Sequence, residues 1–171
     1  MTRVLLVTGA RSLAMRPGAE AWARGHIAEA LRGVDLLIVG DAPGPDAWAW
    51  ESVTTRGRDV YGYRYATRGV CAGHVMDSFG QDCGAWTSAA APKGTRGWTP
   101  WLLSRNAEMV AQAAHCAGAN CDVSVLALLD GLKVDKPARD GKPAERATRG
   151  TEHTVRLARD AGLTVREEVW R

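Results

Sequence analysis

The amino-acid sequence predicts a single α/β domain, a mainly parallel sheet with helices on both faces. Three observations carry this expectation. Short runs of consecutive apolar residues recur at Val4-Leu5-Leu6-Val7, at Leu37-Ile38-Val39 and within 122–129 (Asp-Val-Ser-Val-Leu-Ala-Leu-Leu), as strands buried on both faces require. Segments with helical spacing lie between them. Each apolar run also stops at a glycine or a polar turn before the next helix begins, the rhythm of a parallel sheet with covering helices.

Taken in chain order, Val4–Val7 forms the first strand and Gly9-Ala10-Arg11-Ser12 ends it. Pro17 suits the first turn of a helix whose inward residues are Trp22, Ala23, Ile27, Ala30 and Leu31, with Gly33 closing it. A second strand over 35–39 runs into Gly40-Asp41-Ala42-Pro43-Gly44-Pro45-Asp46, a tight loop that opens a helix reaching about Thr55. Tyr61-Gly62-Tyr63-Arg64-Tyr65 alternates and reads as a third, more exposed strand. Residues 67–98 interleave Gly, Trp, Ser and Ala without a period, and are expected to form a long loop or lid inserted in the one domain spanning 1–171. Thr99-Pro100 caps and starts a helix through Leu102, Leu103, Val110 and Ala114 that Gly118 ends. After the 122–129 strand, a polar loop leads to Thr151, the cap of a helix with Val155, Ala158 and Ala161 inward and Gly162 at its end. Leu163-Thr164-Val165 begins the last strand. These elements make the expected architecture Rossmann-like.

Composition narrows the function. The 22 basic and 19 acidic residues give a net charge of +3, and this near balance argues against a protein that coats nucleic acid. No run of 18 apolar residues suggests a membrane span, and Met1–Gly9 is too short an apolar stretch for a signal peptide, so the chain reads as cytoplasmic. In that compartment Cys116 and Cys121 are simple small residues rather than a disulfide. Cys71-Ala72-Gly73-His74 with Cys83 has the types of a metal site but lacks a motif to supply a fourth ligand, so no metal is expected.

If the strands are parallel, three loops leave the sheet on one side: Gly9-Ala10-Arg11-Ser12, Gly40 to Asp46, and Arg149-Gly150-Thr151-Glu152. Each precedes or opens a helix, so each presents free amides to the same edge, where open sheets bind ligands and where phosphate is favoured. Arg11 and Arg105 are candidate phosphate or carboxylate clamps, because the guanidinium fork matches those oxygens. Arg105 is followed by Asn106 near the start of a largely apolar helix. Asp41 and Asp46 are placed to accept hydrogen bonds from ribose hydroxyls, although Asp46 equally suits a helix cap. His26 lies on an inward stripe and reads as a core residue, and His153 as a surface residue of the last helix. Trp86, Trp98 and Trp101 border the irregular segment, where they suit either stacking on a base or fixing a lid.

Gly40-Asp41-Ala42-Pro43-Gly44-Pro45-Asp46-Ala47-Trp48-Ala49 resembles the Gly-Gly-Ala-Arg-Gly-Ala-Asp signature of the small stand-alone YspA/YpsA-related branch of the SLOG superfamily. Arg105-Asn106 matches that branch's Arg-Asn pair, and Arg149-Gly150-Thr151 its closing Gly-Thr motif. Val7-Thr8-Gly9-Ala10-Arg11 fits the opening, and the matches run in order along nearly the whole chain. The resemblance implies a Rossmann-like fold related to the LOG phosphoribohydrolases and to DprA. It also implies a nucleotide or ADP-ribose-like ligand held by Gly40, Gly44, Gly150 and Thr151, no certain cofactor, and a homodimer as one assembly that relatives adopt. LOG-type relatives cleave the N-glycosidic bond of nucleoside monophosphates with an arginine and a glutamate. Arg105 corresponds to the arginine, whereas the glutamate position three residues after the Gly-Thr pair is Thr154 here and the nearest acid is Glu152. The expectation is therefore a nucleotide-binding sensor or sequestering module. The alternative is a hydrolase in which Arg105 acts with Asp41 or Glu152, and a DprA-like DNA-associated module ranks below both.

Overall fold

The computed structural model describes residues 1–54, 60–66, 69–75, 98–132 and 150–171. Their strands are β1 (Arg3–Gly9), β2 (Leu36–Gly40), β3 (Val60–Ala66), β4 (Gly69–Val75), β5 (Asp122–Asp130) and β6 (Thr164–Trp170). The helices are α1 (Ala19–Ala30), α2 (Pro45–Thr54), α3 (Trp98–Gly118) and α4 (Gly150–Asp160), with a 3-10 turn at Arg11–Met15. The strands form one sheet in the order β4-β3-β2-β1-β5-β6, and only the β3–β4 pairing is antiparallel.

β1 shows why the apolar runs are continuous. Val4, Leu5, Leu6 and Val7 are each no more than 1% exposed, and successive side chains enter opposite layers. Leu5 and Val7 join Leu37, Val39, Leu126 and Leu128 beneath α1 and α2. Val4 and Leu6 join Ile38 and Val125 beneath α3 and α4. The helices answer with one-sided stripes: Met109, Val110, Ala113 and Cys116 on α3, and Thr151, Thr154, Val155 and Ala158 on α4.

Three local expectations change. The segment 67–98 contains β4, whose Gly69, Ala72 and Gly73 mute the strand signal that Val70 and Val75 carry; pairing with β3 over Ala66↔Gly69 to Val60↔Val75 supplies the order. β3 is consequently an interior strand, with Val60 and Tyr65 buried, and not an exposed one. Residues 76–97, with Cys83 and Trp86, lie outside the described residues, while Cys71 and His74 fall in β4. Pro17 precedes α1 instead of opening it, because the 3-10 turn occupies the preceding residues and Gly18, at φ 78°, is the N-cap.

His26 is half buried instead of being a core residue. It meets Trp22 edge-on at 5.0 Å between ring centroids and faces Arg166 and Glu168 of β6. Cys116 is buried and Cys121 half buried, and both are free thiols. No helix among the described residues is long and apolar enough to cross a membrane.

Leu6 is fully buried between β1 and α3/α4. Leu6→Ala is expected to cost about 2–5 kcal/mol in urea unfolding, and a cost near that of a surface substitution would contradict a packed layer there.

Candidate functional site

The five parallel strands end on one edge of the sheet, and chain order reverses there. From β1 the chain steps outward to β2 and β3, then returns past β1 to β5 and β6. Such a switch point opens a crevice beyond the strand ends. A cavity of about 520 Å³ occupies it, a size typical of small-molecule sites.

Each wall follows from a strand end. Thr8 and Gly9 close β1, and the Ala10 N–H donates to Leu128 O at 2.9 Å, which turns Ala10, Arg11 and Ser12 across the crevice. Ala42 and Pro43 come from the turn after β2, and Asp46 from the first turn of α2. Gly44 makes that turn at φ 93°, and its carbonyl accepts the Trp48 N–H at 2.9 Å to start α2. Leu103, Arg105 and Asn106 descend from α3, and Gly150 and Thr151 supply the N-terminus of α4.

Arg105 ties these walls together although it is only 7% exposed. Its Nη1 donates to Asp41 Oδ1 at 2.6 Å, and its Nη2 lies 3.8 Å from Asp46 Oδ2. Its Nε and Nη2 both donate to Asn106 Oδ1, at 3.2 and 3.0 Å. Asn106 Nδ2 in turn donates to Gly150 O at 3.2 Å, and Thr154 Oγ1 donates to the same carbonyl at 2.9 Å. The chain of contacts runs from the end of β2 through α3 to the first turn of α4. Arg105 is thus the counter-ion of two carboxylates, and a buried charge with this many partners is held in one geometry.

Asp46 is 3% exposed, and its Oδ1 is buried without a hydrogen-bond partner among the described residues. Burial pushes its pKa up from 3.8 to about 6. Arg105 and the facing amides of Ala42 and Gly9 pull the other way, and Asp41 adds like-charge repulsion. The glycine at position 40 answers to this packing. A Cβ there would collide with Asp46 Oδ2 and stand 3.0 Å from the Arg105 guanidinium. A Cβ on Gly9 would likewise run into the Pro45 ring.

Of the residues singled out in the sequence, the structure brings Gly9, Arg11, Asp46, Arg105, Asn106, Gly150 and Thr151 to one cavity. Asp41 stands beside it, paired with Arg105. Gly40 and Gly44 shape its floor and turn from behind rather than lining it. Glu152 is exposed on the first turn of α4 and off the cavity wall, and Arg149 lies outside the described residues. Thr154, at the position where the LOG pattern has a glutamate, is fully buried with its hydroxyl on Gly150 O. His153 is half buried against Arg156, and burial followed by that positive neighbour lowers its pKa. Thr8, Ala14, Met15 and Leu103 also line the cavity. Nothing in their residue types marks them, since only position after a strand or on a facing helix puts them there. No family model, curated protein or solved structure matches the chain.

A raised folded-state pKa means that the native protein holds a proton more tightly than the unfolded chain. The stability contributed by Asp46 is therefore complete below pH 3.8 and lost as pH rises through about 6. Asp46→Asn is expected to gain stability relative to the parent between pH 4 and pH 8, by about 3 kcal/mol at most. Urea unfolding of both proteins across that range measures it, and a constant difference would contradict the raised pKa.

Proposed function

We propose that the chain binds a nucleotide or nucleotide-derived ligand of the ADP-ribose type in this crevice, as a sensor or ligand-sequestering module of the SLOG kind. The observation that carries the reading is the meeting of the β1 turn, the β2–α2 turn and the N-terminus of α4 at one cavity on the switch-point edge. The N-terminal amide end of α4 at Gly150-Thr151 favours an anion there, and Arg11, exposed on the 3-10 turn, adds a full positive charge. Asp46 supplies an acceptor for a ligand hydroxyl, and the apolar surfaces of Leu103, Ala14 and Met15 suit a sugar or base face. Arg105 supports this site chiefly by fixing its walls, because three of its five N–H donors are engaged by Asp41 and Asn106.

A panel of nucleoside monophosphates and NAD-related compounds tests this by thermal shift. A ligand at a hundredfold excess over its Kd stabilises the folded state by about 2.7 kcal/mol. Arg11→Gln is expected to shrink that shift while leaving the melting temperature of the free protein unchanged. Absence of a shift across the whole panel would sink the reading.

One observation favours the hydrolytic alternative. Among the described residues Asp46 is the only acid on the cavity wall, and its pKa of about 6 suits proton transfer near neutral pH. Cleavage of a base–ribose bond needs a carboxylate at the sugar to meet oxocarbenium-like charge. In this reading Asp46 takes that position, in preference to Asp41, which Arg105 holds, and to the exposed Glu152. Incubating the protein with the same panel and assaying free base by chromatography is expected to show release that Asp46→Asn abolishes. No release from any member excludes the hydrolase.

A further inference from the structure

Two parts of the cavity wall have opposing electrostatic character. Arg11 and the amide end of α4 at Gly150-Thr151 favour negative charge. Asp46 lies on the same wall with its carboxyl packed against Gly40 and the end of β1. An anion drawn in by the first feature shares a small, largely apolar cavity with the second. Asp46 has little to offset such an encounter. Among the described residues the charged groups facing it are Arg105 from α3 and Asp41 from the end of β2, and Arg105 makes its shorter contact, 2.6 Å against 3.8 Å, with Asp41. β1 and the β2–α2 turn contribute the Gly9 and Ala42 amides. From α4, His153 is turned to Arg156 and Glu152 is exposed, and neither lines the cavity.

We propose that an anionic ligand enters this cavity together with one proton, which Asp46 carries. The inference rests on the reading of the crevice as a nucleotide site and adds its charge balance. A carboxyl with a pKa near 6 is mostly ionised at pH 7–8 before a ligand binds. Nearby ligand charge raises that pKa further, so the carboxyl takes a proton from water as the ligand binds. At pH 5 it is already protonated and no uptake accompanies binding. The neutral carboxyl also gains an O–H donor, which a carboxylate lacks, so the protonated site can donate to a ligand oxygen. Affinity for an anion therefore rises as pH falls from 8 to 6, by up to about tenfold per unit.

ADP-ribose is the probe of choice, because its pyrophosphate carries no terminal phosphate; a terminal phosphate would itself titrate near pH 6. Calorimetric titration at pH 7 in HEPES and in Tris, whose ionisation enthalpies differ, is expected to give binding heats that differ by the uptake of up to about one proton. Asp46→Asn is expected to remove both the buffer dependence and the pH dependence of affinity, and to bind at pH 8 at least as tightly as the parent. Binding to the parent without buffer dependence overturns the proton coupling and leaves the nucleotide reading standing, as does proton uptake that persists in Asp46→Asn. Failure of ADP-ribose and of the nucleotide panel to bind either protein at pH 5 and pH 8 overturns both. If Asp46→Asn does not fold, the two-buffer comparison on the parent is repeated at pH 5, where a difference in binding heats that vanishes supports the assignment to Asp46 and one that persists overturns it.

Discussion

The buried guanidinium of Arg105 is the interaction on which the site depends. Desolvating an arginine is costly, and the cost is offset only when carboxylates and carbonyl-type acceptors surround it. Here Asp41 comes from the end of β2, Asp46 from α2, and Asn106 from the same helix as Arg105, with Asn106 reaching on to Gly150. Satisfying one charge therefore locks the β2 turn, α2, α3 and the start of α4 in mutual register. Those same elements, with the end of β1, are the walls of the cavity. The network does for the loop edge what the apolar layers do for the strands: it holds the elements there in one arrangement.

That network sets the backbone around it. Gly40 has no room for a side chain because Asp46 and Arg105 fill the space a Cβ would take. Gly44 bends the chain at positive φ so that α2 can begin with Asp46 in its first turn. The two glycines that first suggest a phosphate-cradling loop are thus explained by packing and by turn geometry. The anion-favouring features lie elsewhere, at Arg11 and at the α4 N-terminus. Glycines in a strand-to-helix turn signal a tight approach of backbone to something, and in this chain the approaching group is a side chain of the protein itself.

How far the sequence speaks depends on which forces act locally. β1, β2 and β5 announce themselves because burial on both faces demands unbroken apolar runs, and α4 because Val155 and Ala158 recur at helical spacing, although Ala161, expected inward, is exposed just past the end of the helix. β4 escapes because Gly69, Ala72 and Gly73 carry no apolar signal and its order comes from a partner strand. His26 misleads for a related reason. Its spacing follows the inward stripe, yet it lies at the margin, where α1 meets the charged residues of β6. Arg105, Asp46 and Gly150 are visible as candidates but not as a network, since spacing along the chain cannot show that Arg105 points toward two acids more than fifty residues away. Asp41 illustrates the limit: an acid that the sequence offers as a ribose contact forms an ion pair with Arg105 that the sequence does not show.

Asp46 is the exception to the satisfied network, and the direction of its pKa shift is informative. A carboxylate retained for stability through its ion pair would have its pKa held down, as Asp130 does: burial opposes that shift, but the nearby Ser12 hydroxyl and the hydrogen bonds from Arg16 and the Leu132 amide prevail. At Asp46 burial prevails over Arg105 and over two facing amides. The ionised group is therefore a net liability to the fold at neutral pH, although an asparagine of nearly the same shape would avoid the charge. Residues that break the local rule of satisfied burial concentrate at functional sites. A destabilising charge on the wall of the switch-point cavity, kept in place by the same arginine that organises that wall, is the one group of the Arg105 network whose placement costs the fold more than it returns.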